Sequence, residues 1–228
     1  MEQTDTAEAV PDDGLDIRWE IPVQFHSLGV ELPEDQREAH LAEVSAEIWS
    51  GGTEFQRTTV AGWYGEIAAS AAEDGAIYSG LYLGGTEDDR ITIATLVIQA
   101  DQADTEDAET AAAAMQDMLS LDPANEVFRT EAPVGPVVVV ISGVIAEFPD
   151  QGEGPAKLEL AQVTAYIPVA GAGTLVTMQL STPSLPDFPE YVGILAGIVE
   201  TVVYDRPGAP TAAIPDQQTV ARITEAFG

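Results

Sequence analysis

Three runs in the second half of the chain constrain its fold most. "PVVVVISGVIAEF" (136–148), "AKLELAQVTAYIP" (156–168) and "TLVTMQLST" (174–182) are rich in β-branched residues and separated only by short turn segments containing "QGEGP" and "VAGAG". Branched side chains fit a pleated sheet. Glycines permit tight turns, and connections this short can only join antiparallel neighbours. The spacing therefore predicts an antiparallel meander. Its first run is apolar almost without a break, as in a strand buried on both faces. The last run alternates, placing Val176, Met178 and Leu180 inward.

The first half supplies elements to cover such a sheet. "DIRWEIPVQF" alternates, with Ile17, Trp19, Ile21, Val23 and Phe25 on one side, and reads as one strand. Pro22 removes a ladder donor and places that strand at a sheet edge. "LPEDQREAHLAEVSAEIWSGG" carries Pro33 and acids at its start and a glycine pair at its end, which are helix signals. Its apolar stripe is Leu41, Val44, Ile48 and Trp49. "TEFQ" has the spacing of a capping box and opens a second helix, with Val60, Trp63, Tyr64, Ile67 and Ala71 on one side. "AIYSGLYLG" and "ITIATLVIQA" form a hairpin around "GTEDDR". "TEDAETAAAAMQDMLSLD" is a third helix, with Ala108, Ala111, Met115, Met118 and Leu119 inward, and "EVFRTEA" is a short extended piece.

"STPSLPDFPEYVGILAGIVETVV" (181–203) ends the last strand with three prolines that lead the chain off the sheet. Asp187 and Glu190 have cap spacing. Tyr191, Ile194, Leu195, Ile198 and Val202 then follow helical spacing, giving a closing helix laid across the sheet. The domain organisation follows: an acidic arm at 1–15 read as disordered, a single domain at 16–204, a proline-rich linker at 205–216, and a short helix at 217–228. That last helix would carry Val220, Ile223 and Phe227 on one side and needs a surface to dock on. The fold class is α+β: a mostly antiparallel sheet of six to seven strands with helices packed on it.

A strand ending in "LSTPS", a proline-rich turn and a final amphipathic helix with "IVETV" resemble the end of the PsbP-like (Mog/PsbP) fold family, with actinobacterial lipoproteins and secretion-related chaperones among its bacterial members. The element order is compatible with that family over residues 17–204. Two features depart from it: there is no cysteine for a lipoprotein anchor, and two helices follow the first strand. The resemblance implies a non-catalytic binding or assembly module and carries over no functional residue, because it is an analogy of fold.

Charge narrows the partners. There are 39 acids against eight basic residues, one of them the single lysine, Lys157, for a net charge of −31. This surface repels nucleic acid and anionic lipid, stays soluble by self-repulsion and attracts basic partners. An almost lysine-free acidic surface from an alanine-rich chain also suits high salt. Without cysteine there is no disulfide, thiolate nucleophile or cysteine-held metal. The longest apolar run, Pro136 to Ala146, is too short to span a bilayer, and the acidic amino terminus has no signal-peptide core. A cytoplasmic protein without membrane insertion is expected.

Little in the sequence suggests catalysis. His40, Glu43 and Glu47 can share a helix face that would form a metal site if His26 joined it, but no HExxH pattern is present, and a solvated helix face is the preferred reading. "DQADTEDAE" (101–109) lacks the glycine and terminal glutamate of a calcium loop. "VAGAGT" joins two strands and lacks the lysine of a phosphate loop. The tryptophans 19, 49 and 63 fall on apolar faces and read as core. No catalytic, cofactor-binding or metal-binding residue is assigned, and no cofactor. The expectation is a non-enzymatic protein-binding or adaptor module whose partner docks at Val220, Ile223 and Phe227. The alternatives are a carrier of a small apolar ligand held between helices and sheet, and a carboxylate-based enzyme.

Overall fold

The computed structural model describes residues 7–9, 17–86, 88–103, 107–148 and 156–204. In chain order the elements are β1 Ala7–Ala9, β2 Ile17–Ile21, β3 Phe25–Ser27, α1 Glu34–Ile48, α2 Glu54–Glu73, β4 Ala76–Gly85 and β5 Ile91–Gln102. They continue with α3 Ala108–Leu119, β6 Glu126–Ala132, β7 Gly135–Phe148, β8 Ala156–Val169, β9 Thr174–Thr182, α4 Phe188–Glu200 and β10 Val203–Tyr204. The fold is α+β, built on a seven-stranded antiparallel sheet in the order β3-β4-β5-β9-β8-β7-β6.

The meander forms as its turns dictate. β7 pairs with β8 from Val138↔Tyr166 to Phe148↔Ala156. β8 pairs with β9 from Ala161↔Thr182 to Val169↔Thr174. Gly171 and Gly173 close the second turn at φ 74° and 61°, a region L-residues avoid. β9 then pairs with β5 rather than ending the sheet, so the amino-terminal hairpin and the meander share one surface.

Strand alternation divides the sheet into two faces. On the first, Leu96, Ile98, Val163, Ile167, Val176, Met178 and Leu180 are wholly inaccessible, packed with Tyr191, Leu195 and Ile198 of α4 and with Ile17, Trp19 and Ile21 of β2. Each large apolar side chain buried this completely is worth roughly 1.5–3 kcal/mol. That dense layer is the reason the chain after the prolines folds back as a helix. On the second face, α1 and α2 cover Leu28 and Leu81 with Leu41, Val44, Tyr64, Ala68 and Ala71.

Several sequence expectations change. The run from Ile17 to Phe25 is two strands, because Pro22 starts a turn closed by Phe25 N–H donating to Pro22 O at 2.9 Å. β3 is the edge of the large sheet, but β2 is the centre of a separate sheet, β1-β2-β10, and Val23 is exposed. Ala7–Ala9, inside the acidic arm, pair with β2. β7 is buried on both faces only from Val137 to Val140, whereas Val144 and Ile145 are exposed where the β7–β8 hairpin outruns its neighbours.

Helix starts follow the local chemistry. Thr53 and Gln56 make the reciprocal capping box of α2, and Asp107 accepts from the Glu109 and Thr110 amides at the start of α3. Asp187 stands at the N-cap of α4 without capping it. Its carboxylate is taken instead by both terminal nitrogens of Arg90, at 2.8 and 3.2 Å.

Candidate docking trough between α2 and α3

The residues singled out in the sequence are placed separately. His40 Nε2 lies 2.8 Å from the Ser27 carbonyl, and His26 Nδ1 lies 3.8 Å from Glu47. Among the described residues no group of three or more histidines and carboxylates could hold a metal ion. The "GTEDDR" hairpin is not a free tip. Arg90 Nε donates to Asp88 at 2.7 Å while its guanidinium grips Asp187. Hydrogen bonds from Arg90 and Thr86 hold the Asp88 carboxyl down at about 2, and those from Arg90 chiefly lower Asp187. This network ties the hairpin to the proline turn and is structural. Val220, Ile223 and Phe227 lie outside the described residues.

A different feature stands out on the second face. α2 packs on β4, the second strand of the sheet, and α3 packs on β7, the sixth, with further contact to β8 and β6. Four strand steps of about 4.8 Å separate those helices by roughly 19 Å, whereas packed helices lie about 8–10 Å apart. On that spacing, room about one helix wide is left over β5 and β9, with β8 partly under α3.

The floor of this gap is a regular array. In register across β5, β9 and β8 stand Thr95–Ser181–Gln162, Val97–Gln179–Thr164 and Gln99–Thr177–Tyr166. All but Thr164 are half-buried, although Leu96, Ile98, Val163, Val176, Met178 and Leu180 on the opposite face of the same strands are wholly inaccessible. Eight of these nine side chains carry a neutral polar group, in a chain of net charge −31. Gln162 Nε2 donates to Ser181 Oγ at 2.9 Å, and Gln179 Nε2 approaches the same oxygen at 3.5 Å. Burial raises the Tyr166 hydroxyl above its ordinary range, so it stays protonated.

The walls are apolar. On α2 the core side is Tyr64, Ala68 and Ala71, and the side toward α1 is Ala61, Gly65 and Ala69. Helical spacing leaves Val60, Trp63 and Ile67 on the flank turned away from α1. On α3 the buried side is Ala108 and Ala112, and Glu109 reaches Arg129 of β6 on one flank. The other flank, toward β8, carries Ala111, Met115 and Met118. Trp63 is 59% exposed and Met118 61%. Both were expected inside. The small side chains on the core sides of both helices let the helices approach the sheet closely and turn these large residues onto the walls. Trp49, also assigned to the core, lies at the rim between α1 and α2 and donates from Nε1 to the Tyr64 hydroxyl at 3.1 Å. Only Trp19 is buried.

Sequence reading missed the trough because its parts come from five elements. The signal that was available was Trp63 and Ile67 recurring at i, i+4 beside an alanine-rich stripe able to form the core contact alone. No protein-family model matches the chain, and no curated protein matches it. Among the described residues no helix is long and apolar enough to cross a membrane.

Proposed function

We propose that the protein is a non-catalytic protein-binding module, an adaptor that receives one α-helix of a protein partner in the trough between α2 and α3. The observation that carries this reading is the helix-wide gap with facing apolar flanks, Trp63 and Ile67 on one side and Met115 and Met118 on the other. Tryptophan anchors are frequent binding hot spots, and methionine adapts its shape to a partner. The floor adds Ser, Thr and Gln groups that can hydrogen-bond to polar residues on the helix's inward stripe and fix its register. It offers neutral donors and acceptors rather than a nucleophile beside a base. The PsbP-like resemblance points the same way by analogy of fold.

The acidic surface favours a partner with basic residues facing outward and speeds encounter with it. The test is site-specific photo-crosslinking from positions 63 and 118 of the full chain in its native host, with mass mapping of the captured segment. Capture of one and the same helical segment from both positions supports the reading. If neither position captures a partner while position 223 does, binding resides in the carboxy-terminal segment and the trough reading fails.

A further inference from the structure

A second surface stands at the other end of the sheet, independent of the trough. β6 begins opposite Ile141, at Glu126↔Ile141, and β9 reaches only to Thr182↔Ala161. Beyond those pairs β7 from Ser142 to Phe148 has, among the described residues, no strand neighbour on its β6 side. Its outward N–H and C=O groups form an open ladder. Beside this edge, on the first face, lies a recess of about 510 Å³. Its floor is the small cross-strand pair Gly143↔Ala161. Around it stand Ile141, Ile145, Leu185 and Phe188, and the lining includes two carboxylates, Glu126 and Glu159, but no lysine or arginine. Ile145 is 59% exposed and Leu185 44%. Lys157 lies on the same face of β8 but outside the lining.

From this geometry we infer that the free edge of β7 takes an extended peptide segment of a protein partner, in which apolar residues alternate with lysine or arginine. Strand addition satisfies the open ladder through main-chain hydrogen bonds. Side chains of the added strand alternate between faces, so one apolar residue enters the recess over Gly143 and Ala161. A basic residue near it meets Glu126 or Glu159. The small floor pair makes the recess: larger side chains at either position would fill it. Together with the trough, this edge gives the module two docking surfaces on opposite faces, as holding two segments at once requires. The inference does not depend on what fills the trough.

The probe is a short fluorescein-labelled peptide alternating lysine and leucine, titrated by anisotropy into the full chain at about 0.15 M salt, where exposed charges beyond about 8 Å are screened. Leu185→Asp and Ala161→Trp, each shown by circular dichroism to fold, are expected to weaken binding at least about ten-fold. N-methylating alternate amides of the peptide is expected to abolish binding, and Phe55→Ser, at an exposed position at the start of α2, to leave it unchanged. Equal affinity for the wild-type chain and both recess variants would reduce binding to diffuse attraction by the acidic surface and overturn the inference. So would undiminished binding of the N-methylated peptide. Sedimentation showing a wild-type dimer that Leu185→Asp dissociates would make a second copy the occupant, and would also overturn it.

Discussion

Tyr191 and Thr92 lock α4 onto the sheet through a pair of buried hydroxyls that satisfy each other. Their hydroxyl oxygens lie 2.7 Å apart, and both residues are almost fully buried. Either hydroxyl can donate to the other. Tyr191→Phe leaves the Thr92 hydroxyl without this partner, and Thr92→Val leaves the Tyr191 hydroxyl stranded inside; each should cost about 1–3 kcal/mol. In the Thr92→Val background, Tyr191→Phe removes the stranded group and should be neutral or stabilising. The double variant should therefore be less destabilised than the sum of the singles by about 1 kcal/mol. Urea unfolding of the four proteins measures this, and thermal midpoints should follow at about 2–4 °C per kcal/mol for a domain of this size. Additive costs would refute the reasoning that each hydroxyl is the other's buried partner.

Other outcomes follow from the same structure. Trp63→Ser with Met118→Ser should abolish partner capture while changing stability by no more than about 0.5 kcal/mol, because both side chains lie on the surface; binding and unfolding assays on one preparation separate the two effects. Asp88 and Asp187 have depressed folded-state pKa values, so their contribution is present above the ordinary aspartate range and is lost as pH falls through the folded values, about 2 for Asp88. Arg90→Met should flatten that acid limb of the stability–pH curve. Glu200 is the reverse case: buried, without a hydrogen-bond partner among the described residues and raised in pKa by burial. Its contribution worsens as pH rises from the unfolded toward the folded value, so Glu200→Gln should stabilise the protein at neutral pH and remove that slope. Thermal unfolding at pH 4 and pH 7 checks it.

Element order was legible in the sequence, because the signals that set it are local. Glycine turns between β-branched runs fixed the meander, Thr53 and Gln56 fixed the start of α2, and the proline cluster fixed where the last strand stops. Each is settled by residues a few positions apart, through backbone sterics and short-range hydrogen bonds. Tertiary structure decided everything that depends on which segments become neighbours. Arg90 and Asp187 are 97 residues apart, so "GTEDDR" reads as a solvated tip until the fold brings α4 beside it. Pro22 could end a strand or sit on an edge, and only the separate pairing of β2 with β1 and β10 chose the former. Periodicity placed Trp63 and Met118 among apolar neighbours but could not say which part of a wide apolar arc touches the sheet. Close packing decided that in favour of the alanines, because small side chains bring a helix nearest to the strands. The large residues were left outside, facing each other across a sheet whose central strands no helix of the described fold covers.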